Sequence, residues 1–359
     1  MKTSLRILSA ALAAASMSGA WAQSSVQLYG AVNVSVDHHK QDGMSASGLV
    51  SNGSFLGLRA QEDLGAGLKA GVVLEADINA DTGAGSDLYE GYDANFNFQR
   101  HSELYVQSGW GKLRMGALDV ASEAATIDAV QWHSDDWSST SDALAYKFRT
   151  RANALGYESP WLAGWKFNAN WLFGERKNLE GLTEQLRDGL DMAVRYTNGP
   201  WGLGLGMLRL KSKDPVYGDH SDDHIYSLRM SYEAPSWAIG GYVQHDRYNS
   251  YEVGISDHHD KNTAWAIFGK YVIGASELHA SYGQNRWKRS IRNYEEGSTW
   301  RFKQTFDQLT LAYHYNLSRR TKLYAAYTHG DISYVTKNLL GMPGENGSKI
   351  FSVGMRHSF

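Results

Sequence analysis

Three polar residues of one predicted strand have the types that covalent catalysis uses. Glu277, His279 and Ser281 alternate with Leu278 and Ala280, so their side chains share one face of the strand. Hydrolysis needs a nucleophile, a base and an orienting group, but a serine two residues from a histidine is a chance-level pattern in a polar strand. The sequence therefore predicts no enzyme, and an enzyme stays the competing class that a hydrolysis assay would separate.

The composition of the chain narrows the remaining chemistry. The 359 residues include no Cys, which excludes a thiol nucleophile and cysteine-ligated metal sites. The 35 basic and 38 acidic residues give a formal net charge of −3, so no strongly basic surface for nucleic acid is expected. We predict no cofactor, no metal ion at the functional site and no nucleic-acid partner.

A set of basic residues lies between apolar residues in alternating segments. Charge on the lipid face of a membrane strand would cost about 2–4 kcal/mol at the bilayer midplane, so these side chains are expected to line an aqueous interior. The set comprises Arg59, Arg114, Arg195, Arg229, Lys270 and Arg356.

The segment from Asp119 to Arg149 carries most of its charge as acids. Acidic residues that face basic wall residues produce a transverse field across a narrow opening, as in charge-lined selectivity filters. We therefore predict a pore constriction, with a solvated surface loop as the alternative. Its predicted basic side is Arg59, Arg114, Arg149 and Arg151, and its predicted acidic side is Asp119, Glu123, Asp128, Asp135, Asp136 and Asp142. Arg195, Arg229, Lys270 and Arg356 are predicted to be further lumenal charges.

Aromatic and histidine clusters leave two further alternatives open. Trp132, His133 and Trp137 could stack on a sugar or an aromatic solute, which would make the pore solute-specific, or they could brace a folded loop. Histidines beside aspartates in the outer segments could bind a divalent ion, although solvated side chains are the simpler interpretation. These are His38 and His39, His220 and His224, and His258 and His259.

Strict alternation of apolar and polar residues defines the elements that must position these side chains. Near the start of the chain, Val32, Val34 and Val36 alternate with Asn33 and Ser35. The same pattern recurs to the last residue in segments of the length that a transmembrane strand needs. Because half of each segment is polar, the mean hydropathy of −0.44 does not indicate a soluble protein.

Short and long connections alternate between these segments. The sequence predicts seven tight turns, near residues 62–67, 108–111, 159–161, 198–201, 234–236, 273–275 and 316–319. It predicts eight longer polar loops, near residues 38–51, 79–97, 119–149, 175–188, 212–223, 246–261, 288–303 and 333–347. Fifteen connections join sixteen strands. The predicted fold is an all-β, sixteen-stranded antiparallel transmembrane β-barrel.

A soluble sandwich or propeller would also alternate in this way, but two features favour a membrane barrel. Trp110, Trp161, Trp165, Trp201 and Trp237 lie at or beside the short turns, where an aromatic girdle would meet the membrane surface. The chain also ends inside an alternating segment, at Phe359, and a closed barrel needs its last strand to pair with its first.

The start of the chain has the features of an export signal. A basic start is followed by an apolar run and by Ala20-Trp21-Ala22, which fits cleavage before Gln23. We therefore predict a signal peptide over residues 1–22 and an outer-membrane barrel over residues 23–359.

Several motifs resemble those of Gram-negative porins of the Neisseria, Bordetella, Burkholderia and Comamonas type. They are Leu28-Tyr29-Gly30, Leu56 to Arg59, Glu62 to Ala70, Gly109 to Gly116, Arg151 with Asn153, Tyr157 to Pro160, and the terminal Phe359. The chain departs from the family pattern after Gly116, where Ala117-Leu118 replaces the usual Arg-Gln.

The resemblance implies properties that alternation cannot show. It implies a homotrimer in the lipid of a Gram-negative outer membrane, a third long loop folded into the lumen as a constriction, and recognition of Phe359 by the barrel assembly machinery. The implied function is passive diffusion of ions and small hydrophilic solutes, filtered by size and charge. An adhesin that uses the outer loops would be compatible with such a pore.

Overall fold

The computed structural model describes residues 25–41, 43–85, 97–133, 144–145, 151–174, 188–213, 220–252, 254–330 and 347–359. The predicted signal peptide lies outside this part of the chain, as do Asp135, Asp136, Trp137, Asp142 and Arg149. Among the described residues, none of the helices has the length and apolar character that a membrane-spanning helix needs.

The described chain is almost entirely β-strand. The strands are β1 (Ser25–Gln41), β2 (Met44–Ser51), β3 (Phe55–Gly65), β4 (Leu68–Asn79), β5 (Ala84–Gly85), β6 (His101–Ser108), β7 (Gly111–Asp119), β8 (Arg151–Glu158), β9 (Trp165–Leu172), β10 (Asp188–Asn198), β11 (Trp201–Lys213), β12 (His220–Glu233), β13 (Trp237–Glu252), β14 (Ser256–Ile273), β15 (Ser276–Asn293), β16 (Ser298–Asn316), β17 (Thr321–Gly330) and β18 (Ser348–Ser358). Between β7 and β8 lie a short helix, α1 (Ala121–Ala125), and a 3₁₀ turn at Asp128–Val130.

The strands close into one antiparallel barrel of sixteen positions. β2 and β3 share one position because both pair with β1. β2 pairs with the second half of β1, from Val34 to Gln41, and β3 pairs with the first half, from Ser25 to Ala31. β5 pairs with β4 and stands outside the barrel wall. β18 pairs with β1 from Ala31 to Lys40 and so joins the last position to the first. The predicted sixteen-stranded barrel is confirmed, and the soluble alternatives are wrong.

The two faces of each strand differ as the alternation predicts. On β12, Leu228 and Met230 are about half exposed on the outer face, whereas Arg229 and Ser231 are buried on the inner face. Apolar residues thus face lipid, and polar residues face the lumen.

The seven short connections are confirmed, but the described parts of four predicted long loops are mostly strand. The described residues of the segments 38–51, 212–223, 246–261 and 288–303 mostly continue the hydrogen-bonded ladders, and residues 214–219 of the second segment lie outside the described chain. The sequence suggested loops because the lipid-facing residues become polar there. Strand pairing does not require an apolar outer face and continues past the membrane surface.

The longest extension is formed by β15 and β16. Tyr282 and Leu309 are cross-strand partners and are the last apolar residues of their outward series, which continues on β15 as Gln284 and Arg286. Residues 283–293 and 298–308 therefore rise above the lipid band, and we call them the outer crest. At its tip the hydroxyl of Tyr294 donates a hydrogen bond to Asp257, and this bond raises the pKa of Tyr294.

The predicted girdle of tryptophans is present at the opposite, short-turn end. Trp201 and Trp237 begin β11 and β13, and both contact Tyr232 with ring centroids 4.9 and 5.1 Å apart. Trp165 packs on Tyr196 at 4.5 Å. The girdle residues therefore also fix the strand ends by cross-strand aromatic contacts.

The closure of the barrel involves the last residue of the chain. The backbone N–H of Gly30 donates to the carbonyl of Phe359 at 3.2 Å, and the N–H of Phe359 donates to the carbonyl of Gly30 at 3.0 Å. A Cβ atom on Gly30 would lie 2.5 Å from the Phe55 carbonyl oxygen and 2.8 Å from the Phe359 ring. Glycine at position 30 is therefore required for this close approach.

Candidate functional site

The segment after β7 begins with α1, which rests on the polar inner face of β9 to β12. The carboxylate of Asp191 on β10 accepts hydrogen bonds from the backbone N–H groups of Ala121 at 2.6 Å and Ser122 at 3.0 Å. Asn170 donates to the same carboxylate at 2.9 Å. A carboxylate at the first turn satisfies N–H groups that have no partner inside a helix and is favoured by the helix dipole.

Glycines on the inner face of β11 make room for α1. A Cβ atom on Gly204 would overlap the carbonyl oxygen of Ala125, and one on Gly206 would lie 2.7 Å from the Cβ atom of Ser122. The hydroxyl of Thr126 also donates to Ser227 on β12 at 2.9 Å. The sequence analysis did not predict this space for α1 on the inner face of β11. The pattern that could have indicated it is three glycines that alternate with apolar residues from 202 to 206.

The rest of the described segment packs on β13 to β15. Ile127 and Val130 form a buried apolar cluster with inward-facing residues of these strands, and Asn285 on β15 donates to the carbonyl of Leu144. The cluster contains Ile127, Val130, Leu144, Ala145, Tyr242, Ala264, Ala266 and Phe268, with Trp132 packed against it. An apolar patch inside a polar lumen explains why the segment adheres to this wall.

The predicted basic residues Arg59 and Arg114 lie on the inner faces of β3 and β7. Arg59 donates to the side-chain carbonyl of Gln27 at 2.9 and 2.6 Å. Arg114 lies 3.6 Å from Glu103, which also pairs with Lys112. Arg59 thus has a neutral partner, whereas Arg114 shares an acid with Lys112.

These two arginines lie across the lumen from the wall that the segment covers. In a closed barrel of sixteen positions, strands eight positions apart are opposite each other, so β3 faces β12 and β7 faces β15. The described part of the segment contacts β9 to β15. Arg151, the third predicted basic residue within the described chain, begins β8 and is the cross-strand partner of Asp119 on β7.

The predicted acidic residues occupy three different environments. Asp119 is half exposed at the end of β7, with its carboxylate 3.4 Å from Nδ1 of His101. Glu123 is 5% exposed within α1, whereas Asp128 is exposed at the start of the 3₁₀ turn. Asp119 and Asp128 are thus exposed, whereas Glu123 is not.

The remaining predicted lumenal charges are inward-facing. Arg195 contacts the side-chain carbonyl of Asn168 at 3.5 Å, and Arg229 donates to the backbone carbonyl of Leu203 at 3.3 Å. The ammonium of Lys270 lies 5.5 Å from the centre of the Trp132 ring. Arg356 occupies an inner position of β18.

Several lumenal acids, in contrast, have cationic neighbours. Arg100 pairs with Glu75 at 3.1 Å and with Asp77 at 2.6 Å, and Lys166 pairs with Glu158. Arg100 precedes β6, and a residue outside a strand does not follow strand parity.

The histidines and the catalytic candidates are placed as follows. His38 hydrogen-bonds Ser47 at 2.8 Å, and His259 hydrogen-bonds Asn249 at 2.8 Å. His279 lies 3.1 Å from Glu277, but it makes no hydrogen bond with Ser281 within the described chain. A nucleophile and base pair is therefore not assembled among these residues.

Comparisons with known proteins agree on one family. A family model described as Gram-negative porin matches residues 8–333. Outer membrane porin protein 32 of Delftia acidovorans is 29% identical over 97% of this chain and 98% of that protein. Major outer membrane protein P.IB of Neisseria meningitidis is 26% identical over 84% of this chain and 86% of its own length. The solved structure of an anion-selective porin from Comamonas acidovorans has a TM-score of 0.69 at 24% identity and covers 94% of this chain and 100% of that one.

Proposed function

The chain belongs to the Gram-negative porin family, and from this premise we propose that its channel prefers anions. The protein is an outer-membrane porin that forms a water-filled channel for passive diffusion of ions and small hydrophilic solutes, and it is not an enzyme. The finer proposal concerns the charge that a passing ion meets.

The balance of partners in the lumen carries the proposal of anion preference. Arg59, Arg195 and Arg229 have neutral hydrogen-bond partners within the described chain. Glu103 and Glu158, by contrast, each pair with a lysine. Where arginines with neutral partners lie in the same lumen as acids that are compensated, the local potential beside those arginines is positive, which concentrates anions. The Comamonas neighbour, which is named anion-selective, is consistent with this preference.

The proposed constriction lies between the segment after β7 and the opposite wall. Its basic side consists of Arg59, Arg114, Arg149 and Arg151, and its acidic side consists of Asp119, Glu123, Asp128, Asp135, Asp136 and Asp142. The position of α1 and the apolar cluster on the wall opposite Arg59 and Arg114 supports this arrangement. Opposite charges on the two sides then filter solutes by charge as well as by size.

The proposed assembly has three parts. The signal peptide, residues 1–22, is removed on export. The barrel of residues 23–359 forms a homotrimer in outer-membrane lipid. The barrel assembly machinery recognises the C-terminal strand through Phe359. The ring of Phe359 is half exposed at the end of the outward series Phe351, Val353 and Met355, and this exposure supports recognition of the ring by another protein.

A solute-specific pore is less well supported. Trp132 packs on the apolar cluster and His133 is 1% exposed, so both side chains brace the segment rather than offer a stacking surface to a solute.

Planar-bilayer recording in a salt gradient tests the proposal. We expect stepwise insertion of open channels and a reversal potential of the sign that chloride permeation gives. Folded protein without conductance would contradict the channel itself, whereas a reversal potential of potassium sign would contradict only the anion preference.

A further inference from the structure

A cluster of three potential metal ligands lies on the lumenal wall near the short-turn end of the barrel. Glu277 and His279 come from β15, and His314 comes from the neighbouring β16. One ligand atom from each residue lies within 4.8 Å of the other two. We propose that this cluster binds one divalent transition-metal ion, of the class of Zn²⁺ or Ni²⁺.

The donor set is appropriate for such an ion. Imidazole nitrogen suits zinc and nickel, and one carboxylate completes a set of three protein ligands that leaves a position open to water or solute. Nε2 of His279 lies 3.1 Å from Oε2 of Glu277, close to the spacing of about 3.4 Å between ligands of a tetrahedral ion. The rings of His279 and His314 have centroids 4.3 Å apart, so both imidazoles lie at the same point of the wall.

The surroundings hold the ligands in place. The side chain of His279 is fully buried, and its Nδ1 has no hydrogen-bond partner among the described residues. Asn316 donates to the second oxygen of Glu277 at 2.7 Å and orients the carboxylate. Such outer-shell bonds are typical of metal-ligating side chains.

The site also contacts the segment that follows β7. His133 of that segment packs edge-on against His279 with ring centroids 6.1 Å apart. A bound ion would therefore link the position of the segment to the short-turn half of the lumen. Lys270, the cross-strand partner of His279, is the cation that opposes binding of a second positive charge.

Metal binding to the purified, folded protein tests the proposal. Equilibrium dialysis with Zn²⁺ or Ni²⁺, in a H258Q/H259Q background that removes two outer histidines, should yield one bound ion per chain. H279Q and H314Q should weaken the affinity more than about tenfold, whereas H245Q, which changes a histidine on the outer face of β13, should not. K270Q should tighten binding, an effect that a purely structural cluster would not produce.

Two results would overturn the proposal: no bound ion in the parent protein, or equal affinity in the parent and both ligand variants. Heat-modified gel mobility shows whether each variant is folded. Should the ligand variants fail to fold, the visible spectrum of the Co²⁺-loaded parent decides the question. Tetrahedral bands support the site, and a spectrum of hydrated cobalt excludes it.

Discussion

The influence of a lumenal arginine on a passing ion depends on whether an acidic side chain compensates the charge of the arginine. Arg59 donates to neutral Gln27, whereas Arg114 shares Glu103 with Lys112. The two charges are therefore unequal, although both side chains face the lumen. An ion at the constriction should respond more strongly to Arg59.

Neutralising these arginines should shift the permeability toward cations. We expect R59Q to change the chloride-to-potassium permeability ratio by about twofold in 0.1 M salt. A charge ~8 Å away contributes about 0.5 kcal/mol in water, screening reduces this by about half, and the contribution has opposite sign for the two ions. We expect R114Q to change the ratio less. Reversal potentials in 0.1 M salt measure both effects. The shifts should shrink at 1 M salt, where the Debye length falls from ~10 to ~3 Å. Equal shifts from R59Q and R114Q would contradict the role of their partners.

Neutralising acids of the proposed acidic side should change the permeability ratio in the opposite direction. D135N and D136N are expected to raise the preference for chloride, measured in the same gradient. E295Q is the matched control because Glu295 is exposed in the turn after β15. Asp260, which the sequence suggested as an outer-loop acid, is a poor control because it lies on β14 and pairs with Arg289 at 2.6 Å. Reversal potentials that do not move with D135N and D136N would mean that the segment does not line the pore.

Strand parity is predictable from the sequence because it is a property of every pleated strand. Parity alone assigns Arg195, Arg229 and Lys270 to the inner face, where the barrel places them. It does not assign Arg100, which precedes a strand, and it does not predict that Glu123 is buried in a helix. Their environments depend on contacts with distant residues, which a local pattern does not contain.

At the scale of elements, α1 is held by the wall rather than by its own five residues. A helix this short is unstable in isolation, so its position depends on the carboxylate of Asp191 and on the space above Gly204. Replacing either residue should release the segment without unfolding the barrel.

We expect D191A to cost about 1–3 kcal/mol of docking free energy, because two buried N–H groups lose their acceptor. Hydrogen exchange of the amides of residues 121–126 should accelerate, and open-channel current should become noisier. D222A, which removes the carboxylate paired with Arg209 at the outer end of β12, is the control. Unchanged exchange in D191A would show that the apolar cluster alone holds the segment.

We expect G204A to displace α1 by steric contact with the carbonyl of Ala125. The same exchange measurement should show faster exchange for residues 121–126, and the β-sheet content should remain. Protection equal to the parent protein would mean that the strand itself moves to accept the methyl group.

The number and order of strands were predictable, but the ends of several strands were not. The apolar series of β15 ends at Tyr282, and the ladder continues to Asn293. The alternation of apolar and polar residues indicates which face of a strand contacts lipid. The length of the strand depends instead on backbone pairing with a neighbouring strand. A sequence pattern that uses lipid contact alone therefore ends each strand too early.

At the scale of the whole molecule, closure of the barrel depends on the C-terminal residue. Phe359 supplies two backbone hydrogen bonds to Gly30 and an apolar ring. Deletion removes both, whereas F359A removes only the ring. The pair of variants therefore separates the backbone contribution from recognition of the side chain.

We expect F359A to lower the amount of protein in the outer membrane of cells, while refolding into detergent stays near the parent level. Heat-modified mobility measures refolding, and membrane fractionation measures assembly. M355A, a change in the same outward series, controls for the loss of an apolar side chain from the lipid face. An equal loss of F359A in both measurements would show that the residue acts only through packing.

The outer crest makes the exposed surface of this protein a folded sheet. Eleven residues of each strand, at ~3.3 Å per residue and a tilt of ~40°, rise roughly 30 Å above the lipid band. An antibody or a phage fibre that binds this surface contacts side chains from adjacent strands, such as Trp287 beside Gln304. Its epitope is discontinuous in sequence. Antibodies raised against intact cells should therefore lose binding when the barrel is denatured, and linear peptides from residues 283–308 should fail to compete for them.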